Sequence, residues 1–337
     1  MTPLPDSIAR SWQLVALSRD LTTKPVARTV ANVPIVLFRS NGKAAAFEDR
    51  CPHRNYPLSE GKVVSGALQC PYHGWSFAAD GSCVSVPGCQ LSADEPKKLG
   101  ADPLPLIERN GAIFVRLSRR DGDEMPDLGV WGKEGHDQFW WAQGVWRGRA
   151  LDAIENVLDP FHTNFIHDGY IRRANKRMPV MLSTRVYEYG IESIIDQTKR
   201  DLGWMSRVLE PDRARSRTRL HAPTTIQAQW EGEKGLTLCV SAFFTPETNT
   251  RFRPFACFTT PKGRGPGWLK EAAIRLFLNE VIAQDRRALA KQLDAIEAFS
   301  GPRFNQGPGD LLGARVARLY QGERLEPCEE GPFPRDL

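Results

Sequence analysis

Residues 51–75 constrain this chain more than any other stretch. They read Cys51-Pro52-His53-Arg54, then fifteen residues, then Cys70-Pro71-Tyr72-His73-Gly74-Trp75. Each half opens with Cys-Pro and supplies one thiol and one imidazole, spaced C-x-H in the first and C-x2-H in the second. Four such ligands serve one centre only if two short loops stand side by side. The surrounding segments must therefore build a small sheet that holds both. Their composition agrees: residues 33–39 are a short, mostly apolar run, Asn41-Gly42 is a strong hairpin signal, and residues 44–47 return.

Two thiolates with two neutral imidazoles are the ligand set of a Rieske [2Fe–2S] centre, in which the Cys pair holds one iron and the His pair the other. Histidine in place of thiolate raises the reduction potential relative to an all-Cys cluster. A structural Cys2His2 zinc site takes the same ligands, but usually pairs Cys with Cys and His with His. The segment resembles the Rieske domain of the Rieske non-haem iron oxygenases, the α (terminal oxygenase) subunits of ring-hydroxylating and demethylating systems. The resemblance implies that Cys51 and Cys70 bind one iron and His53 and His73 the other, with Arg54 and Trp75 as neighbours of the cluster. Ferredoxins carry such a cluster too, so the rest of the chain must decide between carrier and enzyme.

With 337 residues the chain is long enough for two domains with separate cores. No secretory signal is visible in Met1-Thr2-Pro3-Leu4-Pro5-Asp6, and no apolar stretch approaches the length of a membrane span. The seven cysteines, an odd number, show no disulfide framework. Cytoplasm is the expected compartment, because thiols stay reduced there. Cys83 and Cys89 follow the cluster motif closely. With four ligands already present, both are expected to be small buried apolar residues. The net charge of +5 is mild. Basic runs at residues 172–177 and 213–217 suit a solvated face or the docking of an acidic electron-transfer partner. Neither nucleic acid nor membrane is expected as a partner.

Short strands and turns fill residues 8–118, the expected all-β [2Fe–2S] domain. Residues 119–137 are charged and Gly-rich and read as a linker. A Trp-rich stretch then opens a second domain, 138–325. It carries a helical site segment at 151–167, β-rich stretches over 180–260, a Pro- and Gly-rich loop at 261–267 and a long helix over about 268–299. The fold class is α+β. The tail, 326–337, with four acidic residues, three Pro and no apolar pattern, is expected to be poorly ordered.

Within 151–167 lie Asn156, Asp159, His162 and His167. The first three are spaced by three, so they are expected to share a helical face. His162 and His167 are five apart, and both reach one metal only if the helix is bulged or ends between them. Pro160 already disturbs the hydrogen-bond ladder there. The plain alternative is one surface and one core histidine. Asn156-x2-Asp159-x2-His162-x4-His167 resembles the mononuclear iron motif of the same oxygenase family, so the resemblance covers both domains. It implies that His162 and His167 ligate Fe(II), and that Asp159 hydrogen-bonds a metal-bound histidine and links it to the cluster of a neighbouring subunit. Two imidazoles and one carboxylate on one side of Fe(II) leave positions open for O2 and substrate. A zinc hydrolase would use two histidines equally well, but would have no use for the cluster.

The third ligand must be a distant carboxylate. The long helix has an apolar stripe through Ile274, Phe277, Leu278, Val281, Ile282, Leu289, Leu293 and Ile296, and Asp285 falls on it. A lone carboxylate on an apolar face is costly unless it is paired or coordinates a metal. The alternative is a buried salt bridge to an Arg or Lys of the sheet. Asp294 and Glu297 lie off the stripe and read as solvated, with Glu280 intermediate. The family also places its carboxylate ligand on a C-terminal helix, and Gln284-Asp285 resembles that site.

On this resemblance electrons come from a separate reductase or ferredoxin, since no G-x-G-x-x-G fingerprint follows a strand. They pass through the cluster to the mononuclear iron, and oxygen from O2 is inserted into a small organic substrate. The resemblance further implies a homotrimer, with the cluster of one subunit facing the iron of the next. The second domain is expected to be a helix-grip (START-like) fold, an antiparallel sheet around the long helix. The chain is short for a ring-dihydroxylating α subunit. It resembles the compact α-only group that performs monohydroxylation or O-/N-demethylation of small aromatic compounds. The alternatives are a cis-dihydroxylating dioxygenase and, from another class, a Rieske electron carrier or sensor. The latter would leave Asp159, His162, His167 and Asp285 unexplained. Phe243, Phe244, Phe255 and Phe258 are candidates for pocket lining or for plain core packing.

Overall fold

The computed structural model describes residues 4–119, 122–175, 177–197, 213–263 and 265–337. It separates into two compact units, one of Ile8–Met125 with Thr245–Thr248, the other of Met1–Ser7, Pro126–Phe244 and Asn249–Leu337.

The first unit is all-β around its core. Strands β1 (Gln13–Leu17), β2 (Val26–Val30), β3 (Val33–Ser40), β4 (Lys43–Glu48), β5 (Lys62–Val64), β6 (Ala67–Gln69), β7 (Ser76–Phe77), β8 (Cys83–Ser85), β9 (Leu106–Arg109) and β10 (Ala112–Val115) form three small sheets. Their orders are β1-β10-β9, β2-β3-β4 and β5-β6-β7-β8. Asn41-Gly42 and Asn110-Gly111 turn the β3–β4 and β9–β10 hairpins, with positive φ at both residues of each pair. That geometry matches the twist of the flanking strands. Ala31-Asn32 does the same between β2 and β3, without a glycine to signal it.

Strand β3 is apolar on both sides because both sides are covered. Ile35 and Leu37 join one core, with Val15, Leu21 and Ile113. Val36 and Phe38 join another, with Phe47, Leu58, Leu68 and Phe77. Each fully buried side chain of this size contributes about 1.5–3 kcal/mol. Cys51 and Cys70 belong to that second core, so the cluster motif hangs from packed sheet.

The second unit is built on a nine-stranded sheet. Its strands are β11 (His136–Ala142), β12 (Trp146–Arg147), β13 (Pro179–Tyr187), β14 (Gly190–Gln197), β15 (Arg213–His221), β16 (Thr225–Gly232), β17 (Gly235–Thr248), β18 (Arg251–Pro261) and β19 (Cys328–Asp336). The order is β11-β18-β17-β16-β15-β14-β13-β19, with β12 also on β18. Among the described residues three helices accompany it: α1 (Ala150–Leu158), α2 (Gly267–Ala298) and α3 (Gly313–Gln321). Helix α2 buries Ile274, Val281, Leu289 and Leu293. Ile274 packs with Phe139 of β11 and Phe258 of β18. Lys270 ties the start of α2 to the sheet, its Nζ donating to Asp137 Oδ2 and to Pro261 O, each at 2.7 Å. Among the described residues, no helix is long and apolar enough to cross a membrane.

One expectation is corrected here. The C-terminal tail is not poorly ordered: β19 pairs antiparallel along β13, with Leu182 opposite Phe333 and Arg185 opposite Glu329. Backbone pairing at a sheet edge needs no apolar pattern and tolerates proline. Ion pairs Arg185–Glu329 (2.6 Å) and Arg315–Glu330 (2.5 Å) employ its acidic residues. The basic run at 213–217 lies in β15 and is answered across the sheet, by Asp196 at 2.5 Å from Arg215 and Glu231 at 3.8 Å from Arg217. In the run at 172–177, Lys176 lies outside the described residues, and the Arg177 guanidinium sits over the Phe165 ring.

Candidate functional site

The two Cys-His loops share one backbone design. The amide of Cys51 donates to Tyr56 O (2.9 Å) and that of Asn55 to Cys51 O (2.8 Å). In the second loop Cys70 N donates to Trp75 O (2.8 Å) and Gly74 N to Cys70 O (3.0 Å). Asn55 and Gly74, each the fifth residue counted from its Cys, have positive φ of 58° and 75°. At Gly74 an added Cβ would lie 2.8 Å from Pro87. The different C-x-H and C-x2-H spacings are thus accommodated within one loop geometry.

Cys51 and Cys70 are buried, whereas His53 is half-buried and His73 exposed. The two imidazoles approach to 4.6 Å between centroids, and Trp75 stacks on His53 at 4.5 Å with an interplanar angle of 4°. His53 Nδ1 is buried without a hydrogen-bond partner. Such an orphan is rare, and metal ligation satisfies it. Desolvation, then the neighbouring His73 and Arg54, hold the His53 pKa below its ordinary value and favour the neutral, ligating form. Burial pushes the Cys51 thiol up to about 11, Cys70 adding to the effect and the backbone amides of His53 and Arg54 opposing it. A metal that displaces this proton converts it to the ligating thiolate. The donor set fits a Rieske cluster. Cys83 is buried in the same core, but Cys89 is exposed, contrary to expectation, because it sits in the turn closed by its amide on Val86 O.

The second constellation depends on where α1 stops. Asp159 precedes Pro160, which disfavours the helical conformation for its predecessor. Asp159 is accordingly extended (φ −78°, ψ 118°), and the helix ends at Leu158. Only Asn156 of the 156/159/162 triplet is on the helix, so the expected shared helical face does not form. The break is also what lets the histidines converge. His162 begins a single 3-10 turn, and its ring lies 5.2 Å from that of His167. From α2, Asp285 Oδ1 comes within 3.2 Å of His167 Nε2 and 3.8 Å of His162 Nε2. Ligand atoms of the three residues all lie within 4.8 Å of one another.

Each member is held from behind. His162 Nδ1 is 2.7 Å from Asp159 O, and His167 Nδ1 is 2.8 Å from Gln284 Oε1. Each Nδ1–H donates to its oxygen, so each Nε2 is left for a metal. Asn156 Nδ2 donates to Asp285 Oδ1 at 3.0 Å. The carboxylate of Asp159 accepts from the amides of Phe161 (2.8 Å) and His162 (3.1 Å). Its Oδ2 stays 3.8 Å from the His162 ring, so the carboxylate braces the loop while the Asp159 carbonyl takes the imidazole proton. Burial alone would raise the Asp159 carboxyl, but His162 and the two amide bonds outweigh it and hold it below the usual range. Burial would likewise lower His167, but the hydrogen bond and charge of Asp285, with Gln284, keep it above its ordinary value.

Among the described residues the partners of Asp285 are Asn156 and the two histidines, not the Arg or Lys of a buried salt bridge. Glu280 pairs with Arg287 at 2.6 Å, and Asp294 and Glu297 pair with Arg147 at the surface. Gln284 was not singled out in the sequence as a supporting residue. Its only signal was its place beside Asp285.

A cavity of about 270 Å³ opens onto these three side chains, walled by α1, α2 and strands β16–β18. Phe244, Phe255 and Phe258 line it. Phe243 does not: neighbouring strand residues face opposite ways, and it packs near Trp131 and Trp140 at 6.1 and 5.9 Å.

Comparison with known proteins covers both units. The profile of the Rieske [2Fe-2S] domain matches residues 11–94. That of the vanillate O-demethylase oxygenase C-terminal domain matches residues 146–321. The oxygenase component of dicamba O-demethylase from Stenotrophomonas maltophilia is 37% identical over 164 residues, 48% of each chain. Methylxanthine N1-demethylase from Pseudomonas putida is 34% identical over 161 residues, 46% of this chain and 44% of that one. The matched stretch thus spans about half the length of these curated relatives. Dicamba monooxygenase bound to dicamba shares the fold with a TM-score of 0.80 at 22% identity, over 94% of this chain and 97% of that one. The methylxanthine demethylase with caffeine gives 0.79 at 20% identity, over 97% and 98%.

Proposed function

This chain belongs to the Rieske oxygenase family whose catalytic domain is that of the vanillate O-demethylase oxygenase, and from that premise we propose that it is a terminal oxygenase acting as a monooxygenase or demethylase. Cys51, His53, Cys70 and His73 hold the [2Fe–2S] cluster, and His162, His167 and Asp285 hold a mononuclear Fe(II). When bound, the cluster supplies single electrons and the mononuclear iron supplies O2 activation.

The chain's own residues bind, orient and exclude. The Asp159 carbonyl and Gln284 fix the tautomer and aim of the two imidazoles, and Asn156 fixes Asp285. The apolar cavity excludes water from the reacting group. For a methyl ether the overall reaction consumes O2, two electrons and two protons, and yields the hydroxyl compound, formaldehyde and water. The electrons come from a separate reductase or ferredoxin. The assembly is a homotrimer in which Asp159 lies towards the cluster of the next subunit, and the compartment is the cytoplasm.

One observation carries the reading: two imidazoles and a carboxylate converge at the end of an apolar cavity. An electron carrier has no use for such a site. The test is iron and acid-labile sulfide per chain on anaerobically purified protein. About three irons with two sulfides are expected. About two irons with two sulfides, unchanged by added Fe(II), would leave only a carrier. His162→Ala is expected to abolish turnover with the cluster's visible spectrum intact. A bleached cluster would argue against separate sites.

A further inference from the structure

We infer that the substrate of the cavity at His162, His167 and Asp285 is a neutral, compact and largely apolar molecule of about one aromatic ring with its methyl ether or amine, and not a carboxylate. The inference rests on the oxygenase reading and goes beyond it by naming the substrate class.

The wall is the reason. Alternation along the strands turns Ile226, Ala228 and Trp230 of β16 inwards, with Val240 and Ala242 of β17. Val281, Ile282 and Leu289 of α2 face them. Among the described residues no Lys or Arg lines the cavity, and Asp285 is its one carboxylate. Most of its other polar side chains are committed: Asn156 to Asp285, Thr163 to Pro160 O, and the histidines to their carbonyl and amide partners. The Gln143 side-chain amide on the wall suffices for one neutral polar group of a ligand.

Size and charge then select the ligand. A 150 Å³ apolar cavity accommodates benzene. The 270 Å³ here accommodates one ring with a few substituents. A carboxylate placed in such a wall loses its hydration and gains no counter-ion from the described residues, a cost of several kcal/mol. A metal at His162, His167 and Asp285 brings positive charge, but only to the end where the reacting group must sit. A para-substituent points away from that end, into the apolar wall.

The test is calorimetric binding to the anaerobic holoprotein of two para-substituted methyl ethers, 4-methylanisole and 4-methoxybenzoate. They differ mainly in charge at the far end. The neutral ether is expected to bind at least ~100-fold more tightly. Equal affinity, tighter binding of the carboxylate, or binding of neither overturns the inference. Iron content of the same samples separates the two readings. Carboxylate preference in a chain holding about three irons sinks the substrate class alone, whereas a missing third iron sinks the oxygenase.

Discussion

The two metal centres are built on opposite plans. The cluster loops are local: each closes on itself through the same two backbone hydrogen bonds, and all four ligands fall within residues 51–73. The mononuclear centre is long-range: Asn156 and Asp285, 129 residues apart, meet only because α2 packs over the sheet. In the first, burial protects the thiols inside a core, while His53 is half-buried and His73 exposed. In the second, His167 is 1% exposed, and what distinguishes the site is hydrogen bonding behind each ligand. A local site tolerates rearrangement of the rest of its domain. A long-range site reports on the domain's packing as a whole.

The largest effect expected tests the independence of the two plans. Cys70→Ser should remove the cluster's visible absorbance altogether, while Fe(II) titration of the second unit, which has its own core, stays within about twofold of wild type. Loss of both centres would mean that the units stand or fall together. Next come the supports of the long-range site. Asn156→Ala and Gln284→Leu should each weaken Fe(II) binding by about 10–100-fold with the cluster unaltered. Binding unchanged in both would reduce these hydrogen bonds to bystanders.

A smaller effect concerns pH and lies in the second unit. Burial, with Asp152 adding to it and Arg149 opposing it, pushes the Glu155 carboxyl up to about 7 from its ordinary 4.5. Below 4.5 folded and unfolded chains both hold the proton. Between 4.5 and 7 only the folded chain does, so stability falls as pH rises through that window. Glu155→Gln should therefore be more stable than wild type at pH 8 by about 1–2 kcal/mol, after discounting for the part of the side chain in water, and no more stable at pH 4. Urea denaturation at the two pH values measures it, and an equal gain at both would remove the titration account. The smallest effect is Trp75→Leu, which keeps all four cluster ligands and removes the stack on His53. A cost of about 0.5–1.5 kcal/mol is expected, read as slightly faster cluster loss in urea.

This contrast also explains what was legible beforehand. Two-residue turns and ligand spacings are short-range, so Asn41-Gly42, Asn110-Gly111 and the cluster motif could be read directly from the residues. The long helix was legible from its 3.6-residue stripe, and Asp285 from its cost on that stripe. The helical face through Asn156, Asp159 and His162 was misread, because the veto that Pro160 places on Asp159 ends the helix first. The tail was misread because strand pairing depends on a partner edge, β13, rather than on the tail's own pattern.

By itself, then, the sequence determined which atoms are available as ligands, the two small hairpins around the first pair, and the helix that carries the third carboxylate. Only the tertiary structure decided which ring nitrogens face the site, that Gln284 and the Asp159 carbonyl hold them, that Phe244 lines the cavity while Phe243 does not, and that the cavity wall carries no cation among the described residues. Ligand identity is a property of side-chain chemistry and spacing. Ligand aim and cavity polarity depend on which distant surfaces pack together, and that is settled by the free energy of the whole domain.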